Sequence, residues 1–160
     1  MRNEHGTAKM VELQATNREY WMECAEKESE KTDCIRPESL IGAVAVKDGQ
    51  VIAGGANVVV GKIKKCAECG YCIRKKLCIA SGTQREIAYC ICAEQHMICN
   101  AARDGVKLDG AEVYVTHKPC AICTRLMIQS GISRVYYHRD YPQQFTDEIC
   151  NESGFIMTRL

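Results

Sequence analysis

The chain has no apolar run long enough to cross a membrane, so nothing in it reads as a transmembrane helix and no membrane partner is expected. It has no charge excess either. Lys and Arg total 21 against 20 Asp and Glu, and a net charge of +1 lacks the long-range field of a polynucleotide binder, which argues against DNA or RNA as the main partner. Met1 to Met10 carries Arg2, Glu4, His5 and Lys9 with no apolar stretch behind it, so it does not read as a secretory signal, and a cytoplasmic location is expected. Internal repeats and low-complexity tracts are missing too. With 46% hydrophobic and 26% charged residues in 160, the composition fits one globular domain over residues 1–160, able to bury a core without disulfides.

Cysteine is what the chain has in excess, at 12 residues. Cytosolic thiols stay reduced, and clustered ones there are more often metal ligands than disulfides. They crowd the middle of the chain, with a later close pair at Cys120 and Cys123, a distribution that predicts two sites. Cys24, Cys99 and Cys150 stand apart and read as small buried hydrophobes.

Around the cysteines the pattern alternates between helix and strand. Residues 10–31 read as an amphipathic helix with Leu13, Trp21, Cys24 and Ala25 on one side. Leu40 to Lys47, a turn at Asp48-Gly49 and Val51 to Ala56 form the clearest hairpin signal. Residues 57–90 carry Cys66, Cys69, Cys72, Cys78 and Cys90 with little periodicity, a loop so long that function or a metal is expected to pin it. A helix from Cys92 ends at Gly105, Ala111 to Thr116 is a strand, and Pro119 opens a helix over Cys120 to Ser130. Ile132 to Tyr137 reads as a strand, Pro142 to Glu152 as a short helix and Gly154 to Leu160 as a last strand. The predicted fold is a three-layer α/β/α sandwich around a mixed five-stranded sheet.

Chemistry concentrates where Cys92-Ala93-Glu94 meets Pro119-Cys120-Ala121-Ile122-Cys123. Both segments open helices, so three thiolates can converge where the positive helix ends favour their charged form. A catalytic zinc takes three protein ligands and leaves a position for water. Glu94, two residues past Cys92, can lean over such a metal as a proton carrier. The competing reading is a closed zinc knot completed by a fourth cysteine, with Glu94 a solvated helix residue.

These two segments resemble the zinc-deaminase signature, and more of the chain resembles the deoxycytidylate (dCMP) deaminase branch of the cytidine-deaminase-like family. The likeness includes Ile41 to Asp48, Ala93-Glu94-Gln95 with Ala101-Ala102 and Gly105, Thr116 to Cys120, and Gly131 to Tyr137. It implies hydrolytic deamination of a cytosine nucleotide, most directly dCMP to dUMP and ammonia, with Glu94 moving the proton to N3 of the base and then to the amino group. It also implies a catalytic zinc on Cys92, Cys120 and Cys123, substrate contacts at Asn57, Ala93 and Tyr137, and a homo-oligomer. Three features depart from the branch. Cys92 stands where its first ligand is His, so three thiolates leave a zinc centre at −1 unless N–H groups or cations draw charge from sulfur. The phosphate-side loop, here Gly55 to Lys62, lacks the branch's proline and two of its glycines. His96 replaces an asparagine.

For a second metal the resemblance matches Cys34, Cys66 and Cys90, and leaves Cys69, Cys72 and Cys78 to compete for the remaining place. Structural zinc is the expectation, and an iron–sulfur cluster competes with it through the Cys-x2-Cys-x2-Cys run. The basic set Lys62, Lys64, Lys65, Arg74, Lys75 and Lys76 could offset thiolate charge or hold a substrate phosphate. Two other functions remain open at this point. One is deamination of another small base, nucleoside or modified nucleotide. The other is a zinc-bound nucleic-acid-binding module, for which the loop offers only Tyr71 and Tyr89 as stacking aromatics.

Overall fold

The computed structural model describes residues 4–142 and 145–160, with side-chain surroundings given from residue 17 onward. Helix α1 (Glu4–Ser29) precedes strands β1 (Gly42–Lys47) and β2 (Gln50–Ala56). The cysteine-rich segment follows with two one-turn helices, α2 (Cys66–Cys69) and α3 (Ile73–Lys76), and a 3-10 turn at Arg85–Ile87. After it come α4 (Ala93–Asp104), β3 (Glu112–His117), α5 (Ala121–Gln129), β4 (Arg134–Arg139), α6 (Thr146–Ser153) and β5 (Ile156–Arg159). Among the described residues no helix is long and apolar enough to cross a membrane.

The strands lie in the order β2-β1-β3-β4-β5. β1 runs antiparallel to β2 and β3, while β3, β4 and β5 are parallel, so the sheet is mixed as expected. The hairpin turn takes positive φ at Asp48 (51°) and Gly49 (72°), the pair of left-handed residues that matches a tight turn to twisted strands. β1 and β3 are buried on both faces, which is why their sequences show no polar alternation.

Period-2 geometry divides the core. Val44, Val46, Tyr114 and Tyr136 pack with Met22 and Ala25 of α1 on one face. Ala43, Ala45, Val113, Val115 and Val135 pack with Met97 and Ala101 of α4 and Met127 of α5 on the other. Two glycines set the approach of these layers. A Cβ on Gly42 would overlap the backbone of Ala25 and Ser29, and one on Gly55 would overlap that of Ala93, His96 and Met97. α4 therefore sits on β2 with backbone against backbone.

Several boundaries move. α1 begins at Glu4, ahead of the expected residue 10, and the expected apolar position Leu13 lies outside the described side chains. α6 starts at Thr146, four residues after Pro142. Pro119 lies one residue before the α5 N-cap, Cys120, so its fixed φ shapes the entry to the helix and not its first turn. The loop is less irregular than read: its end is tied to its start by a bridge between Val59 and Cys90. Cys99 is exposed on α4, so it is not a core thiol.

Candidate metal centre and catalytic pocket

Two helix N-termini meet at one point. Cys92 is the N-cap of α4, and its N–H donates to Oε1 of Gln95 at 3.0 Å. Cys120 is the N-cap of α5; its sulfur accepts from the N–H of Cys123 at 3.5 Å, and its carbonyl accepts from the Thr124 hydroxyl at 3.0 Å. The segment is fixed from behind by the buried Thr146 hydroxyl, which donates to the Pro119 carbonyl at 3.2 Å. As a result the sulfurs of Cys92, Cys120 and Cys123 all lie within 4.8 Å of one another, the one group of three or more metal-ligating side chains with that spacing among the described residues. Three thiols at one point, two of them buried, are a donor set suited to zinc. Within the cluster, hydrogen bonds from Cys123 and Cys92 hold the Cys120 thiol far below the ordinary range, and the same sharing pushes Cys92 up.

Glu94 is 4% exposed on the first turn of α4. Burial, reinforced by the Cys120 thiolate, pushes its carboxyl up to about 7. A buried carboxyl beside three cysteines is not the solvated helix residue of a zinc knot, and the group contains no fourth cysteine among the described residues. Ala93 is fully buried and a Cβ added at Gly55 would meet its carbonyl, so it seats α4 on the sheet.

A cavity of about 270 Å³ opens beside the cluster, and its wall includes Cys92, Cys120, Gln95, Asn57, Arg36 and Arg85. Asn57 is there as expected, but its side chain is largely engaged. Its amide donates to the Ser39 carbonyl at 2.8 Å, and its Oδ1 accepts from the Ile41 N–H at 2.9 Å and the Thr32 hydroxyl at 2.8 Å. Neither Ala93 nor Tyr137 is among the residues of the wall; Tyr137 packs in the core with Val113 and Val135. His96 is also outside it, its ring Nδ1 lying 3.2 Å from the N of Ala56 and 3.1 Å from its carbonyl O.

The cations of the wall are Arg36, Arg74 and Arg85, with no lysine among them. Arg74 donates to the carbonyls of Ala80, Thr83 and Gln84, Lys65 pairs with Asp33 at 2.8 Å, and Lys76 lies over the Tyr71 ring. Half of the basic set, Lys65, Arg74 and Lys76, is therefore engaged within the loop, and the other cations at the cavity are Arg36 and Arg85, outside that set. The −1 charge of three thiolates called for a cation without indicating which one.

The second cysteine group is looser. Burial and the neighbouring Cys72, Cys34 and Cys90 push the Cys66 thiol up to about 11, and burial with Cys34 and Cys72 raises Cys90. Cys34, Cys66, Cys72 and Cys90 thus face one another, although no three of their sulfurs come within 4.8 Å. Arg36 lies against Cys34, with Cys72 near, and its Nε is buried without a hydrogen-bond partner. Cys69 points to the Lys64 carbonyl at 3.8 Å, and Cys78 is exposed at a positive φ of 54°.

The profile described as "Cytidine and deoxycytidylate deaminase zinc-binding region" matches residues 15–139. ComE operon protein 2 of Bacillus subtilis (strain 168) is 34% identical over 125 residues, covering 78% of this chain and 61% of that protein. The chain therefore spans about three fifths of that relative's length. The deoxycytidylate deaminase of Mycobacterium phage D29 is 34% identical over 125 residues, covering 76% of this chain and 94% of that one. Among solved structures, the dCMP deaminase of cyanophage S-TIM5 in apo form aligns with a TM-score of 0.67 at 24% identity, over 89% of this chain and 96% of that chain. The same enzyme in complex with dCMP and dUMP aligns with a TM-score of 0.68 at 22% identity and the same coverage. These structures have the fold described above.

Proposed function

This chain belongs to the cytidine and deoxycytidylate deaminase family, and from that premise we propose that it is a zinc-dependent hydrolase converting dCMP to dUMP and ammonia. The observation that carries the reading is the convergence of Cys92, Cys120 and Cys123 within 4.8 Å beside the buried Glu94. Held there, zinc would acidify a water molecule enough for it to react near neutral pH.

The chain's own groups do the rest. Glu94 takes one proton from the water whose oxygen adds to C4 of the cytosine ring and places it on N3, then moves the proton left on that oxygen to the amino group as the C4–N bond breaks and ammonia departs. A carboxyl that titrates near neutrality can both give and accept, and a bound dication would draw it toward the ionised form that accepts first. The two helix N-termini offer partial positive charge to the thiolates. Gln95, Asn57 and Ser39 line the cavity for the base and sugar. Arg36 is the one arginine of that wall not hydrogen-bonded to loop carbonyls or to a thiol of the catalytic group, which makes it the candidate for the substrate phosphate.

A second metal on Cys34, Cys66, Cys72 and Cys90 completes this reading, with zinc favoured by four thiols in one place. Four thiolates on zinc would carry −2, and Arg36 beside Cys34 offsets part of it. The reading includes a homo-oligomer, supported by Ile122 and Leu126, which are 39% and 41% exposed along α5. One observation favours a different small substrate: with Asn57 mostly engaged and the loop at Val58 to Lys62 lacking the branch's phosphate-side residues, an unphosphorylated nucleoside is the second reading.

Ammonia release decides among these. Offered dCMP, CMP, deoxycytidine, cytidine and dCTP at equal concentration, the purified protein should turn over dCMP fastest. Deoxycytidine in first place would establish the nucleoside reading, and no ammonia from any of them would remove cytosine compounds as its substrates.

A further inference from the structure

Part of the cavity wall belongs neither to the sheet nor to a helix packed on it. Arg85, Glu86 and Ala88 line the cavity, and they stand on and just after the 3-10 turn Arg85–Ile87 of the cysteine-rich loop. A single turn cannot fix its own position. The residue that leads into it, Gln84, is left-handed at φ 42° and ψ 51°, a conformation that side chains other than Asn and Asp seldom adopt, so groups outside the turn must hold it there. Two groups do. Arg74 is 8% exposed and reaches the same cavity; its Nη1 donates to the Gln84 carbonyl at 2.5 Å, and its Nη2 to the carbonyls of Ala80 and Thr83 at 2.8 and 2.6 Å. From beyond β4, the Tyr141 hydroxyl accepts from the Ser81 hydroxyl at 2.9 Å and from the Gly82 N–H at 3.1 Å. Among the described residues Arg74 forms no ion pair with a carboxylate, so its charge rests on the carbonyls of one short segment. A planar fork with five donors suits several carbonyls at once. Burying a charge on neutral acceptors is costly, and the position of the turn is what it secures here.

We propose that Arg74 is a positioning residue for the deamination: it holds Gln84, and through it the 3-10 turn, so that residues 85–88 complete the cavity around the substrate. The proposal rests on the deaminase reading above. It makes substrate affinity, and not the chemical step, depend on Arg74. Without the brace the turn leaves its left-handed entry, and the cavity is complete only in the fraction of molecules whose wall is in place. Apparent affinity falls by that fraction, while a complex once formed reacts as before. The three cysteines and Glu94 stand at the starts of α4 and α5, outside the braced segment, so they keep their geometry.

The test compares Arg74→Gln with wild type in KM, kcat, metal content and hydrogen exchange. KM for dCMP should rise about tenfold, the value for a wall in place about a tenth of the time, with kcat within about twofold, the mark of lost binding without lost catalysis. Metal content should not change. Exchange needs no turnover: the amides of Ile87 and Ala88, which donate to the carbonyls of Gln84 and Arg85 at 3.3 and 3.1 Å, should exchange faster while those of α4 keep their protection. Tyr141→Phe removes the acceptor for Ser81 and Gly82 and should act in the same direction by a smaller factor; it decides by the same measurements if Arg74→Gln does not fold. An unchanged KM, a fall in kcat as large as the rise in KM, or faster exchange throughout the protein would overturn the inference. So would a rise confined to dCMP, with inhibition by deoxycytidine unaltered, because Arg74 would then be a ligand of the phosphate. Failure of the deaminase reading looks different. In that case the wild-type protein releases no ammonia from dCMP, yet the local difference in exchange remains.

Discussion

The two cysteine groups differ in what holds them. Cys92, Cys120 and Cys123 are mounted on the first turns of two helices that pack against the sheet, and their sulfurs are already within 4.8 Å of one another. Cys34, Cys66, Cys72 and Cys90 come from the exit of α1, the start of α2, the residue before α3 and the bridge at Val59, and no three of them reach that spacing. On the proposed assignment of a metal to each group, the contrast separates a site organised by the fold before metal arrives from one that metal itself would finish organising. Binding energy at the first is free for chemistry, whereas at the second part of it goes into ordering chain.

The largest effect should come from removing a ligand of the rigid site. Cys120→Ala is expected to lose one metal and all measurable deamination while the thermal transition moves little, seen by elemental analysis, ammonia assay and calorimetry together. Retained activity would show that the triad is not the catalytic centre. Glu94→Gln should come next: metal content unchanged, turnover lower by at least roughly 10²–10⁴-fold, the range of one general acid–base group. Near-normal turnover would sink the proton-carrying role.

A change in the sheet should rank third. Gly55→Ala puts a methyl into the backbone of α4, and overpacking of this kind costs about 1–3 kcal/mol. Its thermal transition should fall and its catalytic metal should weaken, because α4 carries Cys92. A variant with unchanged stability would mean that α4 is not seated on the sheet by contact of backbones. Cys72→Ser tests the looser site. It should lose the second metal and lower the unfolding temperature, yet keep a substantial part of the turnover, the reverse of the pattern for Cys120→Ala. Loss of both metals at once would erase the distinction between the groups.

The smallest effect is one of pH. In metal-free protein the Cys66 thiol, at about 11 in the fold against an ordinary 9.0, is neutral at pH 7, and the folded state disfavours its thiolate. Stability should therefore be intact below about 9 and decline as pH rises from there toward 11, and bound metal should abolish this decline by fixing the thiolate. A flat profile in the metal-free protein would show that the Cys66 thiol is neither buried nor crowded by its neighbouring thiols.

How much of this was legible in the sequence follows from the same contrast. Cys92, Glu94, Cys120 and Cys123 could be read because their spacing is local: helix geometry turns a two- or three-residue interval into a shared face. The hairpin, the alternating second half and the mixed sheet were readable for the same reason. Which cysteines of the loop group together was not, since Cys69, Cys72 and Cys78 are equivalent as spacing. The fold separates them: Cys72 is buried at the entry to α3, and Cys78 is exposed after it at a positive φ of 54°. Arg85 and Arg36 were invisible because their partners lie across loop contacts with no sequence period. Tyr137 was readable as a strand-end tyrosine, equally near the substrate or in the core, because the pleat that turns it inward is set by the register with β3.

The bridge at Val59 has one more consequence. It pins the backbone on both sides of Cys90, with the Val60 N–H donating to Tyr89 at 3.0 Å and the Ile91 N–H to Val58 at 3.0 Å, and Cys92 is only two peptide units further on. Two units span at most about 7 Å, so a sulfur clamped at 90 restricts where a sulfur at 92 can go. On the proposed assignment these are ligands of different ions, so the seat of one ion constrains the seat of the other through two peptide units, and whatever factor the first changes the second's affinity by is returned in kind.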